Sequence, residues 1–187
     1  MMPVDTAYNP AEWGTFAVGF TTASGALTGL VFVAVSIRVR EVLGDPFHRR
    51  RTESTFVILL AILTASLLVL IPSQGRLPVA IEMLVIGAAL TYRATHTWPV
   101  VRASLRREAV TSYWVGTFAH VLLCLGGISL LARAGGGLYV VATALVLELV
   151  RALSDIWVLF SGITMDPQFT EHAERPDVSD GPGAQSA

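Results

Sequence analysis

Three charged residues interrupt one apolar run of this chain: Glu148, Arg151 and Asp155, spaced i, i+3, i+7. On a helix that spacing puts all three on one face. Charges inside an apolar run are costly and mark either proton and ion paths or internal ties. Arg151 stands between two carboxylates, so the group can partly neutralise itself while fastening its helix to neighbours. Glu82, in a second apolar run, has no opposite charge within one turn. It must be neutralised, hydrated or paired with another helix, and Arg151 and His120 are the available partners. His120 is near the middle of a third run, where Ser112, Gly116, His120, Leu123 and Gly127 share a face. The small residues on that face suit close helix packing. A relay of Glu82, His120 and the Glu148 group is the alternative.

The elements that would hold these residues are legible from composition. Of 187 residues, 53% are apolar or aromatic and 14% charged, with mean hydropathy +0.61. Soluble domains carry roughly 25% charge. A chain this poor in charge reads as an integral membrane protein. That excludes a disordered chain, a coiled coil and a disulfide scaffold. The formal net charge of −1 excludes a nucleic-acid binder. Cys124 is the single cysteine, so no intrachain disulfide or cysteine-built zinc site can form. The histidines at 48, 96, 120 and 172 are scattered, so neither a metal nor a cofactor is expected. Met1 to Pro10 lacks the basic start of a cleaved signal peptide.

Five apolar segments follow, at about residues 13–37, 54–72, 77–93, 112–132 and 137–161. A spanning helix needs about 20 apolar residues. The first, second and fourth meet that alone. The third is short and contains Glu82. The fifth is marginal: thirteen Leu, Ile, Val or Phe residues between Leu138 and Phe160 contribute roughly −6 kcal/mol, against about +2.5 to +3.5 kcal/mol for each central charge. It needs partners inside a bundle. Asn9-Pro10-Ala11-Glu12 reads as a capping box with Pro at the first helical position. Gly44-Asp45-Pro46 reads as a stop, a cap and a new start, and Pro78 and Trp98-Pro99 as further helix starts. Ala134 to Gly137 reads as a flexible turn, and residues 166–187 as a disordered acidic tail.

Arginine placement sets an expected orientation, since there is no lysine. Arg38, Arg40, Arg49, Arg50, Arg51, Arg93, Arg102, Arg106 and Arg107 fall beside alternate turns, against only Arg76 and Arg133 on the other side. The positive-inside rule then puts both basic loops in the cytoplasm, the N-terminus outside and the C-terminus inside. Arg49, Arg50, Arg51, Arg102, Arg106 and Arg107 could also meet anionic lipid headgroups. Trp13, Trp98, Tyr113 and Trp114 stand near segment ends, where amphipathic rings prefer the interface. The first segment carries a small-residue stripe of Gly14, Thr21, Gly25, Thr28, Gly29 and Ser36, with Gly25 and Gly29 spaced as GxxxG. The stripe predicts an interior or oligomer-facing helix.

The stretch Ser24–Ile37, the turn Leu70-Ile71-Pro72-Ser73-Gln74 and the Trp157 region resemble a group of small five-helix membrane proteins of actinobacteria and related bacteria. The resemblance implies a multi-pass plasma-membrane protein and implies no activity. No nucleophile-and-base pattern, Walker A, GxGxxG or HExxH motif occurs, so an enzyme is not expected. The expected function is a non-enzymatic module that packs against itself or a membrane partner. The alternative is a small proton- or ion-coupled transporter or channel using Glu82, His120, Glu148, Arg151 and Asp155.

Overall fold

A computed structural model describes the backbone of residues 6–37, 46–103 and 107–164. Those residues are all-α. After 3-10 turns at Thr6–Tyr8 and Pro10–Trp13 come α1 (Gly14–Ile37), α2 (Pro46–Val69), α3 (Arg76–Ala103), α4 (Arg107–Ala132) and α5 (Gly137–Thr164). All five are long and apolar enough to cross a membrane. Asn9 does cap the Pro10–Trp13 turn: its Oδ1 accepts from the Ala11 amide, and its Nδ2 donates to Glu12 Oε1, both at 3.3 Å, so Glu12 meets the Asn9 side chain rather than closing a capping box on its backbone N–H. That turn runs directly into α1. Pro46 does begin α2. Gly44, Asp45 and the tail 166–187 lie outside the described residues.

One boundary differs from expectation. Trp98-Pro99 does not open the fourth helix; α3 continues through Pro99 to Ala103, and α4 begins at Arg107. Pro99 falls in the last turns of α3. The carbonyl it leaves without an i+4 donor belongs to Thr95, which is exposed, so no buried polar group is orphaned. Trp98 instead closes the α3–α4 end, its ring 4.8 Å from that of Tyr113 and 5.7 Å from that of Trp114.

The α4–α5 turn is built rather than loose. Arg133 is left-handed at φ 53°, and the Ala134 amide reaches back to the Ser129 carbonyl at 3.2 Å. That is the reach-back of a Schellman cap. Gly135 and Gly136 follow at φ 81° and 78°, a conformation glycine adopts without steric cost. The Gly136 amide donates to the Tyr8 hydroxyl at 3.0 Å, so the N-terminal turn is fastened to the α4–α5 corner. At the same end Arg76 Nη1 donates to the carbonyls of Leu130 and Leu131 at 2.7 and 3.1 Å. It thereby satisfies two of the C-terminal acceptors of α4 and complements that helix's dipole.

The core runs between α2, α3, α4 and α5, centred on Leu59, Ile62, Met83, Leu123, Leu130 and Leu145. The α3–α4 pair is the most extensive contact, followed by α4–α5. Helix α1 packs chiefly on α2. Outward-facing Leu30, Phe32, Val85, Phe118 and Trp157 are all more than half exposed. A bilayer would cover such a surface, whereas water would not tolerate it.

Candidate functional site

Helices α4 and α5 run antiparallel, and the polar face of one matches the charged face of the other, residue for residue. Ser112 Oγ donates to Asp155 Oδ1 at 3.1 Å. Gly116 lies against the Arg151 guanidinium: a Cβ added there would stand 2.6 Å from Arg151 Cζ. His120 Nε2 is 2.9 Å from Glu148 Oε1. Four-residue steps along α4 meet three- and four-residue steps along α5 in reverse, as two facing antiparallel helices require.

Each charge in this ladder has a partner. Arg151 donates through Nε and Nη2 to Glu148 Oε2 at 3.1 and 2.9 Å. Arg51 of α2 donates through Nη2 to Asp155 Oδ1 at 2.8 Å. Arg151 therefore serves Glu148 alone, and Asp155 is held by a third helix. The Glu148 side chain is 4% exposed, and those of His120 and Arg151 are 8% and 10%. Charges buried this deeply persist only with such partners. The His120–Glu148 contact is close but poorly aligned. Neither ring nitrogen of His120 nor Glu148 Oε1 makes a hydrogen bond of good geometry. His120 is charged only if protonated.

A half-open cavity of about 190 Å³ lies above the ladder at the arginine-rich end. Ser112, His120, Arg151 and Asp155 form part of its floor, and Arg50, Arg51 and Arg93 are on its walls. One to two turns further along the helices, Ile62, Met83, Leu123 and Leu145 are all buried in the apolar core. The cavity is therefore open toward one end and is backed by an apolar layer.

Glu82 is placed elsewhere. Its Oε1 accepts from Gln74 Nε2 at 2.7 Å, next to the α2–α3 turn, and its Oε2 is buried without a hydrogen-bond partner. Neither Arg151 nor His120 is its partner, because both are engaged with Glu148. The expected small-residue packing also divides. Gly116 and Gly127 on α4 do meet neighbouring helices: a Cβ on Gly127 would stand 2.7 Å from Leu84 Cγ and 2.9 Å from the Ala80 carbonyl oxygen. On α1, Gly14 and Gly29 have open space beside them, and Gly25 meets only Leu63 Cδ1 at 3.9 Å. Thr28 Oγ1 turns back to the Ser24 carbonyl at 2.7 Å, while Thr21 Oγ1 is buried without a partner. The α1 stripe therefore closes no tight helix contact within the chain.

Sequence reasoning assigned Arg51 to topology and lipid and missed its bond to Asp155. The available signal was depth. Asp155 is nearest the basic end of its segment, level with the Arg49–Arg51 run that starts α2. Arg49 and Arg50 are exposed, as is Arg102. Arg38, Arg40, Arg106 and His172 lie outside the described residues. Among the described residues, no three His, Cys, Asp or Glu side chains converge as a metal site. Comparison with known proteins adds no relative: no family model, no curated protein and no solved structure matches this chain.

Proposed function

We propose that this protein is a non-enzymatic, multi-pass membrane module that works by association, with itself or with a membrane partner. We place its arginine-rich end in the cytoplasm of a bacterial cell and its N-terminus outside the plasma membrane. The observation that carries this reading is α1. Its most apolar window is 11% buried, against 28–39% for the other four helices. Its Gly19, Gly29 and Ser36 stand exposed among Leu30, Phe32 and Val33. Small residues on an uncovered transmembrane face let another helix backbone approach closely. The buried charges agree with a structural role, because Glu148, Arg151 and Asp155 are engaged by side chains of the same chain.

Gly29→Leu tests this reading. Among the described residues nothing stands within 4 Å of a Cβ at that position, so the variant should fold as the native chain does. Chemical crosslinking in native membranes is expected to show an oligomer or a complex that Gly29→Leu weakens several-fold. Identical crosslinking in both proteins would overturn association through α1.

One observation favours the second reading, proton or ion movement: the cavity reaches His120 and Arg151 from the arginine-rich end. The apolar layer of Ile62, Met83, Leu123 and Leu145 opposes it, since an ion would have to cross that layer without polar partners. Purified protein in liposomes with a pH-sensitive dye and a potassium gradient is expected to give traces equal to those of empty liposomes. Flux well above that background would replace the first reading with the second.

A further inference from the structure

The cavity at the arginine-rich end holds more positive charge than the bundle uses. Four arginines line it, Arg50, Arg51, Arg93 and Arg151, against the single carboxylate of Asp155. Arg51 is taken by Asp155 at 2.8 Å, and Arg151 by Glu148 at 2.9 Å. Arg93 and Arg50 have no acidic partner among the described residues. Arg93 is half-buried. Its wall is shared with Leu90 and Ala94 of its own helix and with Val57 and Ile58 of α2. A guanidinium beside apolar walls gains most from an anion that accepts two of its hydrogen bonds at once. Ser54 and Tyr113 also line the cavity, and each carries a hydroxyl able to donate.

Size narrows the ligand. A volume of about 190 Å³ is below the roughly 300–1,000 Å³ of sites that enclose drug-sized molecules. A compact anionic group fits within it, and the half-open side leaves room for the rest of a larger molecule outside. Carboxylate and phosphate both satisfy arginine, but two unpartnered cations with two hydroxyl donors favour the group with more charge and more acceptor oxygens.

We propose that this cavity binds a single phosphate group, held by Arg93 and Arg50, supplied either by an anionic lipid headgroup or by inorganic phosphate from the aqueous side. The apolar walls at Val57, Ile58 and Leu90 would accommodate the glycerol and upper acyl carbons of a lipid. This site is independent of the association proposed for α1.

The full chain, purified in neutral detergent, is titrated with dihexanoyl phosphatidylglycerol, with dihexanoyl phosphatidylcholine as the zwitterionic control, and with inorganic phosphate. Thermal unfolding is the readout, since a ligand that binds only the folded state raises Tm. A saturable rise with the anionic lipid alone assigns the site to a headgroup. A saturable rise with inorganic phosphate as well assigns it to the phosphate group itself. In either case Arg93→Gln is expected to raise the half-saturating concentration roughly tenfold, the loss of one charge-assisted contact. Arg50→Gln should act in the same direction. Arg49→Gln is the control for general surface charge, because Arg49 is exposed and does not line the cavity. It should change the half-saturating concentration by less than about twofold. Both cavity variants are expected to leave the Tm without ligand unchanged, because neither arginine has an acidic partner among the described residues. The proposal is overturned if no probe gives a saturable rise, or if Arg93→Gln and Arg50→Gln behave as Arg49→Gln does.

Discussion

Removing Glu148 alone is expected to destabilise the bundle by about 3–5 kcal/mol, the cost of stranding a buried charge. Glu148 Oε2 accepts both Arg151 bonds, at 3.1 and 2.9 Å, in a site where the carboxylate is 4% exposed. In Glu148→Leu the guanidinium keeps its place against Gly116 but has no acceptor. Neutral interhelical hydrogen bonds in membranes average only about 0.6 kcal/mol, so a loss of several kcal/mol would report desolvated charge rather than a missing hydrogen bond. The double variant Glu148→Leu with Arg151→Leu removes both partners and should recover most of the loss, as buried ion pairs do when replaced together. The measurement is a double-mutant cycle on unfolding of the purified chain in detergent. A coupling near zero, with each single change costing under 1 kcal/mol, would show that the pair is hydrated rather than desolvated inside the bundle.

Gly127→Val is expected to force α3 and α4 apart and to cost about 3 kcal/mol or more, with Gly127→Ala at about 1–3 kcal/mol. The first added carbon meets the Ala80 carbonyl oxygen at 2.9 Å and Leu84 Cγ at 2.7 Å. Leu84 can turn aside; the Ala80 carbonyl belongs to the α3 backbone and cannot move without the helix. Gly87→Ala, on the α3 face toward α4, should behave like Gly127→Ala, because its Cβ would stand 2.7 Å from Cys124 Sγ and 3.1 Å from the Cys124 amide nitrogen. Gly14→Ala on α1 has open space and should stay within about 0.5 kcal/mol of the native chain. Thermal unfolding of the four variants checks the order. A Gly127→Ala protein as stable as the native one would mean that the α3–α4 seam is wider than described.

Two classes of information separate in this protein. Apolar run length, Pro and Gly punctuation and residue spacing are local properties, and they were readable in the chain. Five helices, the α2 start at Pro46, the Asn9 cap and the shared face of Glu148, Arg151 and Asp155 follow from rise per residue and the 3.6-residue turn. Even the polar face of α4, Ser112 with Gly116 and His120, was visible as a face.

Which faces meet was not visible, because pairing depends on how the helices are arranged around one another, and periodicity says nothing about that. Two carboxylates flanking Arg151 on one helix suggested a group that partly neutralises itself and fastens its helix to neighbours, without naming them. The fold gives Asp155 to Arg51, from a helix more than a hundred residues earlier. Glu82 had His120 and Arg151 as candidates by type, yet its neighbour is Gln74, one tight turn away. The α1 stripe and the α4 glycines looked equivalent as patterns of small residues. Only packing distinguished them: α4 is enclosed between α3 and α5, where backbone meets backbone, while α1 touches chiefly α2 and leaves Gly19 and Gly29 exposed. The cavity is likewise a product of assembly. Arg50, Arg93 and Arg151 come from three helices, and their shared surplus of charge exists only once those helices stand side by side.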